Sequence, residues 1–169
     1  MLSSIQLREA MPSDKDVLQY WDEQPHIIAS DPNDDWQWEN ELKFKPSWRQ
    51  QLIAELNGKP IGFVQIIDPQ FEDSGYWGEV GGGKRAIDIW IGEQENLNKG
   101  YGTLMMREAL SRCFASPEVM EIWIDPLEQN TAARRFYERL GFEFLEIRKF
   151  GKDVCAVYRL TRATFENRR

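Results

Sequence analysis

Residues 96 to 103 read "NLNKGYGT", two glycines flanking one residue, between the apolar run "AIDIWI" (86–91) and the periodic stretch "LMMREALSRCFA" (104–115). A strand that passes into a helix through such a corner leaves the first backbone N–H groups of the helix without intrahelical partners, at the positive end of the helix dipole. Gly100 and Gly102 allow the main chain to approach a ligand closely. Anions settle at such corners, so a phosphate site is expected here. Two better-known phosphate motifs fail in detail. A Walker loop needs Gly-Lys-Ser/Thr at its end, and a dinucleotide fingerprint needs a third glycine at 105, where Met105 stands.

The remaining elements follow at short intervals. "IQLREAM" (5–11) alternates as a strand does, and Ser13 with Asp16 offers a capping pair for a helix carrying Val17, Leu18, Tyr20 and Trp21. The segment to Ser47 reads as short helix and loop. "RQQLIAEL" and "KPIGFVQII" flank Asn57-Gly58 and form a hairpin. Residues 68–85, rich in glycine, make a loop longer than a compact domain usually carries without use. Then come a strand at 86–91, a helix at 99–115, a strand at 121–125, a helix at 131–141 closed by Gly141, and a terminal hairpin about Gly151. This order predicts an α/β (α+β) fold with a mixed sheet, and 169 residues suit a single domain, 1–169.

Charge narrows the partners. The formal net charge is -7, and Asp22 to Glu41 alone holds seven acids and no base. Asp68, Glu72, Asp73 and Glu79 form a second acidic segment. Such a surface repels nucleic acid and anionic membrane and favours cationic ligands. The tryptophans mixed in (Trp21, Trp36, Trp38, Trp48, Trp77) make a wall suited to a cation. Cys113 and Cys155 lack disulfide or metal spacing, no run is long enough to span a membrane, and the start lacks signal-peptide character, so a cytoplasmic protein is expected. His26 is the lone histidine, which leaves no Ser-His or Cys-His triad and no zinc site; "DPNDDWQWENEL" lacks the Gly and Glu of a calcium loop, and no metal is expected.

Downstream stands "NTAARRFYERLGF", in which Asn130 caps a helix and Tyr137 lies two turns in. A strand, a Gly-loop helix, a strand and an "NxxAxxxYExxGF" helix in this order resemble the GNAT superfamily of acyl-CoA-dependent N-acyltransferases, over about residues 5 to 160. "RAIDIWI", "SPEVMEIWIDP" and "NTAARRFYERLGFE" are similar to the aminoglycoside 6'-N-acetyltransferase group within it. The resemblance implies about seven mostly antiparallel strands with a splay between two central parallel ones, acetyl-CoA as co-substrate, and a monomer or homodimer. It places the coenzyme's pyrophosphate on Asn98, Lys99, Gly100, Tyr101, Gly102 and Thr103, with Leu97 where the family often has Gln or Arg, and its pantetheine arm against the backbone of Trp90 and Ile91; Asn130 is counted with them. Asp88 and Asp125 line the acceptor pocket in that group, and Tyr137 lies near the sulfur.

Acyl transfer from a thioester asks for the same groups on chemical grounds. A protonated amine must lose a proton, and Asp88, alternating with Ile87, Ile89 and Ile91, is the expected base. Asp125, at the C-terminal end of a strand, is expected to hold the substrate ammonium. Tyr137 can donate to the departing thiolate. Trp21 and Trp77 are expected in the acceptor wall. The expected reaction is acetylation of a cationic amine, an aminoglycoside first, with a polyamine, a siderophore hydroxylamine or a protein amine as alternatives; a non-catalytic acyl-CoA-binding domain is the other class.

Overall fold

The computed structural model describes residues 4–168, so the outermost residues of the expected 1–169 domain lie outside it. Seven strands form one sheet: β1 (Ile5–Glu9), β2 (Arg49–Leu56), β3 (Lys59–Ile67), β4 (Lys84–Ile91), β5 (Glu121–Ile124), β6 (Glu143–Phe150) and β7 (Asp153–Thr161). Their order is β1-β2-β3-β4-β5-β7-β6. Asn57 and Gly58, with φ of 51° and 83°, close the β2–β3 hairpin. Such a turn needs positive φ at both central residues, which asparagine and glycine tolerate.

Helices cover both faces. α1 (Lys15–Asp22), α2 (Pro25–Ser30) and α3 (Trp38–Glu41) lie on one side, where Leu18, Trp21, Ile27 and Trp38 pack on Ile53 and Phe63. α4 (Tyr101–Phe114), α5 (Thr131–Arg139) and α6 (Arg162–Asn167) lie on the other, over a larger core built from Val64, Ile66, Ile87, Met105, Met106 and Ile122. Alternation along β2 and β3 sends successive side chains into the two cores in turn.

Three expectations are corrected. Ser13 and Asp16 do not cap α1: Pro12–Asp14 form a 3-10 turn, and the buried Asp14 carboxylate accepts the Met11 N–H and two N–H groups of Arg8, all at 2.8 Å. The first strand ends at Glu9 rather than 11. α6 was not foreseen; the Thr161 side chain accepts the Thr164 N–H at 3.2 Å and starts it.

The feature that positions the site lies between β4 and β5. These run parallel, and only Lys84–Ala86 pair with Glu121–Trp123. β4 continues five residues further, to Ile91, still paired to β3 but no longer to β5. The two strands diverge, and their separation leaves the sheet open where β4 approaches α4.

Candidate active site

The opening leads into a cavity of about 380 Å³. Its lining includes the carboxylates of Asp31, Asp34, Glu72, Asp88, Asp125 and Asp153 and, among the described residues, neither lysine, arginine nor histidine. Tyr76, Trp36, Trp77 and Trp90 supply aromatic walls.

Asp88 lies on β4, on the face opposite the half-buried Ile89 and Ile91, which pack on the main core. Its Oδ2 accepts from Gln65 Nε2 at 2.9 Å. Gln65 Oε1 in turn accepts from Gln51 Nε2 at 3.0 Å, and the same nitrogen donates to Glu41 at 2.9 Å. This chain of amides orients one edge of the Asp88 carboxylate and leaves the other facing the cavity. Burial pushes its pKa up to about 6 against the opposing effect of Gln65, with the charge of Asp34 adding to the rise. A carboxylate with such a value is mostly deprotonated at neutral pH yet more basic than an ordinary one, the range useful to a general base.

Asp125 follows β5 directly and precedes Pro126. Burial, and then the neighbouring Asp88 charge, push its pKa up to about 8, although the Tyr76 hydroxyl donates to its Oδ2. Asp31 is likewise raised, first by burial and then by a hydrogen bond shared with Asp34. The cavity thus holds protons that a cationic ligand would displace.

Tyr137 stands on α5, its ring against Phe136 and Phe142. Tyr137 lines the cavity, and its hydroxyl makes no hydrogen bond among the described residues. Burial and the charges of Asp88 and Asp125 raise its pKa, so it remains a proton donor. Asn130 caps α5, its Oδ1 accepting the Ala133 N–H at 3.2 Å, and both residues border the cavity.

At the corner, Asn98 and Gly100 have φ of 60° and 82°, and α4 starts at Tyr101 rather than 99 because the left-handed Gly100 precedes it. A Cβ at Gly100 would meet nothing within 4 Å; at Gly102 it would meet Phe136 at 3.4 Å and Ile91 at 3.7 Å. The space at Gly100 is thus open, while that at Gly102 is bordered by the Phe136 and Ile91 side chains; the N–H groups of Tyr101, Gly102 and Thr103 have no earlier turn to satisfy them, and neither Ile91 nor residues 97–103 border the cavity. Asn98 and Lys99 are exposed and Leu97 is half-buried.

Two expected contacts sit differently. Trp21 is fully buried and absent from the cavity lining: its indole occupies the space over Gly92, where an added Cβ would fall 2.1 Å from the ring. It is a core residue, because a glycine at the end of β4 leaves a hollow that an indole fills. Trp77 does border the cavity, yet is 6% exposed and packs on Trp123 and Phe150. Trp90 stacks on Phe63 at 4.6 Å, and the Ile91 carbonyl accepts from His26 Nε2 at 2.7 Å, which gives the lone histidine a structural partner.

Sequence reasoning did not single out Tyr76, Asp31, Asp34, Glu72, Gln65 or Asp153. The acidic segments signalled three of them, Asp31, Asp34 and Glu72, as charge, but the pairing of Tyr76 with Asp125 spans 49 positions and leaves no local trace.

Comparison with known proteins decides the family. The model of the acetyltransferase (GNAT) domain matches residues 10–150. The chain belongs to the GNAT acetyltransferase family. The fold of this GNAT protein is shared with AAC(6')-Ib solved in complex with coenzyme A and kanamycin, at 30% identity and a TM-score of 0.85, over 97% of this chain and 98% of that one. AAC(6')-Ib in complex with ribostamycin and coenzyme A gives 29% and 0.87, over 98% of both chains. The aminoglycoside N(6')-acetyltransferase type 1 of Klebsiella pneumoniae is 40% identical over 92 residues, 54% of this chain and 46% of that enzyme, so the match spans about half of each. The lysine N-acyltransferase MbtK of Mycobacterium tuberculosis is 26% identical over 152 residues, 82% of this chain and 69% of that enzyme. Among the described residues no helix is long and apolar enough to cross a membrane.

Proposed function

We propose that residues 1–169 form one cytoplasmic catalytic domain that transfers the acetyl group of acetyl-CoA to a primary amine of a polycationic small molecule, an aminoglycoside at its 6'-amino group. The observation that carries this reading is the cavity between the diverging strands, lined by six carboxylates and, among the described residues, by no cationic side chain. The similarity to AAC(6')-Ib, solved with coenzyme A and aminoglycosides, supports the same choice.

Acetyl-CoA, held by the corner amides of residues 98–103 and by the edge of β4, supplies an activated acyl carbon. The carboxylates draw in the ammonium groups of the acceptor, and Asp125 fixes the reacting one. The ammonium first releases one proton to the water of the cavity, and Asp88, directly or through one water, takes the second as the nitrogen bonds to carbon, passing it on to solvent after product leaves. The freed nitrogen pair forms the N–C bond at the thioester carbonyl, a main-chain N–H of β4 steadies the charge on oxygen, and the C–S bond breaks. Tyr137 gives its proton to the departing sulfur and is reprotonated from solvent.

One observation favours a second acceptor class: the match to a lysine N-acyltransferase runs along more of this chain than the match to the Klebsiella enzyme. A panel of aminoglycosides, polyamines, lysine, hydroxylamines and peptides, assayed for release of free thiol from acetyl-CoA, separates them. Turnover with aminoglycosides is expected; turnover with lysine alone would move the assignment to the second class. Coenzyme binding by calorimetry with no acceptor turned over would make the chain a binding domain.

A further inference from the structure

Gln51, Gln65 and Asp88 stand directly opposite one another on β2, β3 and β4, so three polar side chains form one row across the sheet. Gln65 is 5% exposed, and a polar group so buried is kept with its hydrogen bonds made. Each bond in the row has a direction. Gln65 Nε2 donates to Asp88 Oδ2 at 2.9 Å, while Gln65 Oε1 accepts from Gln51 Nε2 at 3.0 Å. The same Gln51 nitrogen donates to Glu41 Oε2 at 2.9 Å. Glu41 ends α3, and its Oε2 also accepts from Arg49 Nη1 at 2.8 Å; the Arg49 side chain is 7% exposed.

A side-chain amide turns end for end at little steric cost, because its oxygen and nitrogen differ little in size. The carboxylates at the two ends of the row are what forbid the turn. Turning Gln65 alone would set its nitrogen against the Gln51 nitrogen and its oxygen against the Asp88 carboxylate. Turning both amides would set the Gln51 oxygen against Glu41. A fully bonded row of reversed direction needs a proton on Asp88 at one end and a donor at position 41 at the other. Glu41, ion-paired with Arg49, offers no donor. We infer that Glu41 is a positioning residue for the proposed acetyl transfer: it fixes the direction of the amide row, and so keeps Asp88 in the form that accepts a proton. The inference rests on Asp88 acting as the base in that reaction.

The other groups around Asp88 are Asp125 after β5, Asp31 and Asp34 after α2, Tyr76 in the β3–β4 loop and Tyr137 on α5. Glu72 and Asp153 line the same cavity, with no cationic side chain among the described residues. A substitution at position 41 leaves all of them in place. Glu41→Gln supplies the missing donor in nearly the same shape, so the reversed row becomes fully bonded with Asp88 protonated. The Asp88 carboxyl should then titrate about one pH unit higher than in the wild type, since a hydrogen bond given to the charged form is exchanged for one made by the neutral form. Carbon-13 NMR of the carboxyl groups, with Asp88→Asn identifying the signal, reads this without turnover. Loss of a negative charge acting through space has the opposite sign and would lower the titration, so the direction separates the two causes.

Gln51→Met cuts the row, and in that background Glu41→Gln should raise the Asp88 titration no further. The acid limb of kcat/KM, read by thiol release, should move upwards with the NMR signal. An unchanged or lowered titration in Glu41→Gln overturns the inference, as does an equal rise when Gln51→Met is also present. An NMR rise that the kinetics do not follow upholds the row and sinks the base role of Asp88 instead.

Discussion

Asp88→Asn is the substitution from which most can be read. Asparagine has the same shape, and its side-chain oxygen can still accept from Gln65 Nε2, now at 2.9 Å from the carboxylate, so the amide chain through Gln51 to Glu41 persists. What disappears is the basic lone pair facing the cavity and one negative charge among six carboxylates. Loss of a positioned general base typically costs 10²–10⁴-fold, or about 2.7–5.4 kcal/mol at 1.36 kcal/mol per decade. Coenzyme affinity should be unchanged, because the corner at residues 98–103 is untouched. In the unmodified enzyme, kcat/KM should rise about tenfold per pH unit up to the Asp88 pKa, about 6, and level off above it. In the variant that step should vanish. The assay is thiol release from acetyl-CoA across pH, with calorimetry for the coenzyme. A variant retaining the wild-type rate and pH profile would remove Asp88 from proton transfer and refute the reasoning.

Further perturbations separate the coenzyme, acceptor and stability components. Gly102→Val should abolish coenzyme A binding in a titration while the chain stays folded, since a Cβ there meets Phe136 and Ile91 only at ordinary contact distances but its branches fill the approach to the N–H groups. Tyr76→Phe removes the larger of the two hydrogen bonds that hold down the Asp125 pKa, so Asp125 should be more fully protonated at neutral pH. The acceptor KM should then rise several-fold with little change in kcat; a lowered kcat at constant KM would place Tyr76 in the chemical step instead. Asp125 also makes a stability prediction. Its folded pKa of about 8 lies above the ordinary 3.8, so the folded state holds a proton that the unfolded state has released. Stability from this group is therefore full below about pH 4 and falls as pH rises towards 8. Asp125→Asn should flatten that part of the wild-type melting-temperature profile, and an unaltered slope would contradict the burial assigned to Asp125.

Much of this frame was legible in the sequence because it rests on local rules. Alternation in "AIDIWI" put Asp88 on the face away from the isoleucines, Asn57-Gly58 marked the hairpin, and Gly100 marked the corner. The helical spacing of Met105, Met106, Ala109, Leu110, Cys113 and Phe114 named the buried face of α4. What was not legible depends on distant partners. Trp21 carried the same signature as a ligand-facing aromatic, and only the hollow over Gly92, far along the chain, makes it core. Ser13 looked like a helix cap until Arg8, on β1, turned Asp14 to that end of the helix. The acidic stretch holding Asp31 and Asp34 was expected to wall the acceptor site, but which of its seven acids reach the cavity depends on how α2 and α3 fold back over β4.

A crystal structure with coenzyme A and an aminoglycoside bound tests the central claim most directly. The diphosphate should lie within hydrogen-bond distance of the main-chain N–H groups between Asn98 and Thr103, the sulfur near the Tyr137 hydroxyl, and one amino group between Asp88 and Asp125. A diphosphate bound away from that corner, or an acceptor nitrogen beyond the reach of both aspartates, would contradict it.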